Sequence, residues 1–268
     1  MKGLPGFFHG ATALVVAAAA ATLMLSSARA ADASAKPDCT APSELTRLDY
    51  TLRRTSQKIA AGQPIKIVAV GSSSTAGAGA SSPAMNYPSR LQVELQQLMP
   101  RVPVTVVNRG VNGEEARDML ARFDRDVFSE TPDLVIWQVG SNSVLRDQPL
   151  AEANAPLHEG LKRLRERGVD VVLMNPQYAP KVITKHDVEG MVELIAVTAK
   201  EKGIDLFQRY AVMRYWQLTE GMTFASFLSP DELHLNDWSY GCVAKLMAGA
   251  IHDAATRPTL TATVNHQR

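Results

Sequence analysis

The sequence carries almost no net charge, with 28 Lys and Arg against 27 Asp and Glu over 268 residues. That balance argues against a nucleic-acid partner, which needs a cationic footprint. Beyond residue 30 no apolar run approaches the roughly 18 residues a membrane span requires, so no stable membrane anchor is expected outside the N-terminus. Internal repeats are absent, and no linker interrupts residues 44–255, so one domain is the economical reading. Disorder is excluded by an apolar content of 46%, which is enough for an ample core. Cysteine is scarce, Cys39 and Cys242 being the only two. In an exported chain they are free to pair, tying the N-terminal region to the last helix. Sequence alone does not bring their Cα atoms within bridging distance, so two separate thiols remain an equal alternative.

The N-terminus has what the remainder lacks. Lys2, an apolar stretch from Ala11 to Leu25 and the small-x-small triplet Ala28 to Ala30 together read as a secretory signal over 1–30. The competing reading, a membrane anchor, is disfavoured because the run is short and rich in alanine. Cleavage after Ala30 would leave 26 basic and 27 acidic residues of the mature chain in the periplasm or outside the cell. Residues 31–43 are small, polar and proline-punctuated, as in a flexible mature terminus, the domain is expected over 44–257, and 258–268 reads as a frayed tail.

Between these ends, strands and helices alternate. Leu45, Leu48, Leu52 and Ile59 suggest one helix across 44–60. Strands are expected at 65–70, 102–107, 134–139, 169–174 and 204–207, rich in β-branched residues as in parallel strands covered on both faces. Helical spacing marks 87–99, 155–167 and 187–202, and Met119, Phe123 and Val127 share a face of another helix. The alternation predicts an α/β fold with a five-stranded parallel sheet sandwiched between helices.

Polar clusters follow the strands, on the edge where such sheets bind ligands. After the first strand come Gly71, Ser72, Ser73, Ser74 and Thr75, which alone make a polar turn but also hold a serine at a helix N-terminus. Gly113 follows the second strand in the run Asn108 to Glu114, and it is either an ordinary turn glycine or a close-approach backbone donor. Asn142 follows the third strand in Gly140 to Ser143, as a cap or an amide donor. Asp231 and His234 follow the fifth, spaced so that one tight turn can point both side chains the same way. Acyl transfer by serine needs a nucleophile, a base, an acid orienting that base, and donors for an oxyanion, and these residue types supply each part. His158, His186, His252 and His266 have no such company. Cys242, among apolar neighbours, is a buried thiol or half of a bridge, not a rival nucleophile. Tyr210, Met213, Tyr215, Trp216, Met222, Phe224 and Phe227 offer either ordinary core or an acyl-binding wall.

Taken together, Gly71 to Thr75, Asn108 to Glu114, Gly140 to Ser143 and Asp231 to His234 resemble, in order and spacing, the four blocks of the SGNH (GDSL-type) hydrolases, over roughly 64–252. The resemblance implies a flavodoxin-like three-layer fold and a carboxylic ester hydrolase. Ser73 is then nucleophile, Asp231 and His234 complete the triad, Gly113 and Asn142 are oxyanion donors, and no cofactor or metal takes part. A short-chain acyl or O-acetyl ester of a saccharide is the expected substrate. Lysophospholipase, thioesterase and O-acyltransferase chemistry are alternatives on the same fold, and an inactive glycan- or envelope-binding domain is the rival of another class. Two positions depart from the pattern: Ser72 and Ser143 stand where the family has Asp, which is expected to weaken the bonding that steadies the loops. An α/β-hydrolase fits less well, since its elbow reads Gly-x-Ser-x-Gly and the fifth residue here is Thr75. Sequence gives no oligomeric state.

Overall fold

The computed structural model describes residues 38–258. The signal at 1–30, the terminal residues before Asp38 and the tail beyond Pro258 lie outside the described residues. From Cys39 onward the described chain forms one compact unit.

Five parallel strands build the sheet: β1 Ile65–Gly71, β2 Val104–Gly110, β3 Leu134–Gln138, β4 Asp170–Met174 and β5 Asp205–Phe207, in the order β2-β1-β3-β4-β5. This is the flavodoxin-like order, whose strand direction of winding switches between β1 and β3, where a ligand crevice opens. The central strands are apolar on both faces because both are covered: Ile67 to Val70 and Leu134 to Trp137 are at most 1% exposed. Lys66 interrupts β1, yet its ammonium reaches out to Glu130 at 3.2 Å while its stem lines the sheet.

Six longer helices cover the sheet: α1 Arg53–Ala60, α2 Tyr87–Leu98, α3 Leu150–Glu166, α4 Val188–Lys202, α5 Arg209–Leu218 and α6 Asp237–Thr256. The last of these packs on α1 and α2, whereas α3 packs on α4 and on the short helix Ala116–Ala121, so the helices fall into two layers. Asn236 caps α6, its side chain accepting from Ser239 N at 3.1 Å and Ser239 Oγ accepting from the Asn236 N–H, which fixes where the loop before it must end.

Three expectations need correction. Residues 44–60 are not one helix but a turn at Ser43–Thr46 and helix α1, with extended chain between. The cause is tertiary: the Tyr50 N–H donates to Asp205 at 2.9 Å and the Asp49 N–H to the same carboxylate, so these amides have no call for helical carbonyls. Leu48 and Leu52 drop into the core instead. Nor does the chain stay loose up to residue 43, because Cys39 is bridged to Cys242 and the Thr40 carbonyl accepts from Trp216 Nε1 at 2.9 Å. Third, two helices are placed differently: α3 starts at Leu150 rather than 155 and carries Pro156 inside, and the helix expected through Met119, Phe123 and Val127 is two short ones, Ala116–Ala121 and Phe123–Asp126, divided at Arg122.

The bridge closes 203 residues of chain separation, with Cα atoms 5.3 Å apart, and so restricts the unfolded ensemble strongly. Replacing both Cys39 and Cys242 by alanine is expected to lower the unfolding free energy by about 2–5 kcal/mol, read as a lower urea midpoint. An unchanged midpoint would deny the bridge its role. Asp205, 3% exposed, has its carboxyl raised to about 6 by burial, against the opposing hydrogen bonds from Tyr50 and Asp49. The folded state thus binds its proton more tightly than the unfolded, and stability from this group is lost as pH rises from about 4 to about 6. Asp205→Asn, which keeps an acceptor for Tyr50, is expected to gain on wild type in urea midpoint between pH 4.5 and 7. A pH-independent difference would contradict the shift.

Candidate active site

Four loops at the carboxyl ends of the strands hold the residues singled out in the sequence, and the tightest is the one after β1. Ser73 opens the single helical turn Ser73–Ala76, which lies directly over the end of β2. Gly71 and Gly110 are register partners, and both are needed to let it sit there: a Cβ on Gly110 would lie 2.1 Å from Ala76 N, and one on Gly71 would lie 2.2 Å from Thr75 Oγ1. Asn108 secures the turn from below, donating Nδ2 to the Thr75 carbonyl at 2.8 Å while its Oδ1 accepts from the Gly110 N–H at 2.9 Å.

The second component arrives from 161 positions away. His234 Nε2 lies 2.8 Å from Ser73 Oγ, and its Nδ1 lies 2.5 Å from Asp231 Oδ2. These two side chains share not a helical turn but a tight loop, in which Glu232 adopts φ 56°, uncommon for a residue with a Cβ. Asp231 Oδ1 holds that loop by accepting from Ser229 Oγ (2.7 Å), Leu233 N (3.0 Å) and His234 N (2.9 Å). Partial burial pushes the Asp231 carboxyl up, but hydrogen bonds from the His234 ring and backbone, Ser229 and Leu233 outweigh it and hold it well below the usual carboxylate range. It therefore stays ionised, as a group facing an imidazole that gains a proton must. Gly79, at φ 87°, lets the loop after Ser73 press against this turn, since a Cβ there would lie 2.5 Å from the Leu235 carbonyl.

Asn142 and Gly113 lie on the other two loops. Asn142 Nδ2 gives one N–H to the Glu114 carbonyl at 2.8 Å, which leaves the second N–H of the amide. Gly113 adopts φ 79°, a conformation suited to glycine, and its carbonyl accepts from Arg146 Nη2 at 2.7 Å. Arg146 is held in turn by Glu115. Val111 N donates to the Gly71 carbonyl at 3.0 Å, linking this loop to the turn that bears Ser73.

The departures at 72 and 143 take a different physical form from the one expected. Ser72 is not left loose: its N–H and its hydroxyl both donate to Gln138 Oε1 at 2.9 Å. Ser143, 2% exposed, lines a void of about 10 Å³ with Val139, Met191, Leu194 and Ile195, surroundings in which a carboxylate would be costly. Of the aromatic stretch, Tyr210, Met213, Trp216, Met222 and Phe227 are buried and belong to the core, so they form no acyl-binding wall. The reading from sequence passed over Arg122, which is 7% exposed and joins Glu114 (2.7 Å), Asp126 (2.9 Å) and the carbonyls of Arg109 (2.9 Å) and Gly71 (3.4 Å). It also passed over Arg146 and Gln138. Each is a single polar residue outside any motif, with no spacing to betray it.

Comparison with known proteins gives three results. The model of the non-GDSL lipase-like family matches residues 38–257. An acetylxylan esterase of Geobacillus stearothermophilus is 33% identical over 94 residues, 31% of this chain and 43% of that protein, and an arylesterase of Vibrio mimicus is 31% identical over 77 residues, 29% of this chain and 38% of that protein. The chain thus aligns with less than half the length of these curated relatives. Among solved structures, a two-domain esterase active on acetylated mannans has a TM-score of 0.66 at 17% identity, covering 80% of this chain and 58% of that one. The Geobacillus acetylxylan esterase has 0.60 at 22%, covering 70% and 94%. These likenesses show the same SGNH-type fold.

Gly110→Ala is expected to be strongly destabilising, by several kcal/mol through overpacking against backbone, and to lower the thermal midpoint. Gly249→Ala, in α6 with nothing within 4 Å of the added Cβ, is expected to stabilise by about 1 kcal/mol. Equal midpoints for the two variants would show that the close approach at Gly110 is not a constraint.

Proposed function

The chain belongs to the non-GDSL lipase-like family, and from that premise we propose that it is an exported serine esterase, cleaving carboxylic esters through an acyl-Ser73 intermediate. The observation that carries the reading is the linear chain of contacts from Ser73 Oγ to His234 at 2.8 Å and from His234 to Asp231 at 2.5 Å, built on loops that a rigid sheet supports.

In the first half-reaction Ser73 Oγ forms a bond to the ester carbonyl carbon as its proton passes to His234 Nε2, and the carbonyl electron pair moves onto oxygen. That oxyanion is met by the Ser73 and Gly113 N–H groups and by the free N–H of Asn142. The ionised Asp231 stabilises the imidazolium. Collapse of the intermediate breaks the carbon–oxygen bond to the alcohol, which leaves with the proton from His234. In the second half-reaction water gives a proton to His234 as it attacks the acyl carbon, and Ser73 recovers the proton when the acid departs. Each oxyanion donor contributes on the order of 10²-fold or more in rate.

O-acetyl groups on a saccharide are the proposed substrate class. Support comes from relatives described as an acetylxylan esterase and as an esterase active on acetylated mannans. Export is supported by the Cys39–Cys242 bridge, since structural disulfides persist in oxidising compartments, and among the described residues no helix is long and apolar enough to cross a membrane.

Fluorophosphonate labelling followed by peptide mapping is expected to modify Ser73 alone. On p-nitrophenyl acetate, Ser73→Ala and His234→Ala should each lose about 10⁴-fold or more in kcat with folding intact, and Asp231→Asn somewhat less. Wild type no faster than Ser73→Ala on acetyl, butyryl and longer esters would instead favour the inactive binding domain.

A further inference from the structure

Behind the reacting groups lies a polar layer closed to solvent, and one cation sits in it. Arg209, the first residue of α5, is 1% exposed. All its hydrogen-bond partners are neutral: Nε donates to the Asn175 carbonyl at 3.1 Å, and Nη2 donates to Gln177 Oε1 at 3.0 Å and to Ser141 Oγ at 3.4 Å. The ionisable groups that act on its charge are the phenols of Tyr240 and Tyr87, both pushed up by burial and so uncharged at ordinary pH. A guanidinium enclosed without a carboxylate costs several kcal/mol relative to an apolar side chain of the same volume. Packing alone therefore gives no reason for an arginine here.

The partners suggest one. Gln177 Oε1 also accepts from Ser141 Oγ at 2.8 Å, and Gln177 Nε2 donates to the Leu233 carbonyl at 3.4 Å. Ser141 Oγ accepts from Gln138 Nε2 at 3.3 Å, and Gln138 Oε1 accepts from the Ser72 N–H and hydroxyl at 2.9 Å. Residues 72, 141 and 233 are thus fastened to one network, and each immediately precedes a working residue: Ser73, Asn142 and His234. Carboxamides fit such a network in two senses, with oxygen and nitrogen exchanged. The backbone fixes the two ends, since the Ser72 N–H only donates and the Leu233 carbonyl only accepts, and a guanidinium, which also only donates, meets that sense at the centre. Gln177 must turn its oxygen to Arg209 and Ser141, which aims its amide nitrogen at Leu233. Ser141 must spend its proton on Gln177 and accept from Gln138, which leaves the Gln138 oxygen for Ser72.

We propose that Arg209 is a positioning residue that anchors the centre of this network, donating to Gln177, Ser141 and the Asn175 carbonyl, and so holds the nucleophile, the oxyanion amide and the base in register. The role rests on the serine-esterase reading given above. It touches neither substrate nor reacting atoms, and acts through Gln177 and Ser141.

The test compares wild type, Ser73→Ala, Arg209→Met, Arg209→Lys and Ser141→Ala on p-nitrophenyl acetate, with active sites counted by fluorophosphonate. Arg209→Met is expected to unfold cooperatively and to be titrated in full, with KM nearly unchanged and kcat lower by about 10²-fold, the scale of a slight misplacement of reacting groups. Arg209→Lys, which restores a donor-only cation, should recover part of that loss. A kcat loss that merely tracks the titratable fraction, or an undiminished kcat in Arg209→Met, overturns the proposal. If Arg209→Met does not fold, Ser141→Ala decides, with kcat expected to fall about tenfold, as for one lost hydrogen bond, and an unchanged value counting against it. Absence of Ser73-dependent turnover in wild type fells the esterase reading and this role together, whereas turnover that needs Ser73 but ignores Arg209 fells the role alone.

Discussion

The site exists because backbone approaches backbone where side chains would forbid it. At the register pair Gly71 and Gly110 the helical turn bearing Ser73 settles onto the end of β2, with Ala76 N where a Cβ of residue 110 would otherwise be. This aims the Ser73 hydroxyl along the open edge of the sheet, and the other contacts accommodate it. Asn108 satisfies the turn's carbonyl from below, Tyr87 brings its hydroxyl to 3.5 Å from Thr75 Oγ1, and Gln138 holds the residue before the serine. Loops on such a scaffold inherit the stiffness of the strands they leave.

Electrostatic asymmetry follows from the same layout. The amino edge of the sheet holds its carboxylates against backbone and cations, with Asp133 2.9 Å from Arg54 Nε and accepting from Lys66 N at 3.0 Å, and Asp170 accepting from Thr55 N at 2.8 Å. At the carboxyl edge, Asp231 is kept ionised by hydrogen bonds from its own loop, and the buried polar layer behind it is held by amides and one guanidinium. The acids at the amino ends of the strands thus lie apart from Asp231, while Glu114 and Glu115 hold arginines at the carboxyl edge.

The fold was legible because both-face burial leaves an unambiguous mark: Ile67 to Val70, Leu134 to Trp137 and Val172 to Met174 are apolar without alternation. The residues brought together at the crevice were legible through their position after strands, and through the resemblance their four clusters carry. What escaped notice depends on tertiary contacts. The break between residues 46 and 53 is dictated by a carboxylate on β5, more than 150 positions away. Gln138, Gln177 and Arg209 are polar residues at or just past the ends of apolar strands, and no local pattern tells a buried hub from a solvated edge. Ser72 reads as a loss against the family pattern only until Gln138 is seen beside it.

The covalent link between Cys39 and Cys242 has a topological outcome. It turns almost all of the folded unit into a closed ring, with Ser73, Gly113, Asn142, Asp231 and His234 all inside it. A protease that nicks one surface loop between those cysteines would open the ring without releasing either piece, and the severed ends would stay tethered until a reductant reached the sulfurs.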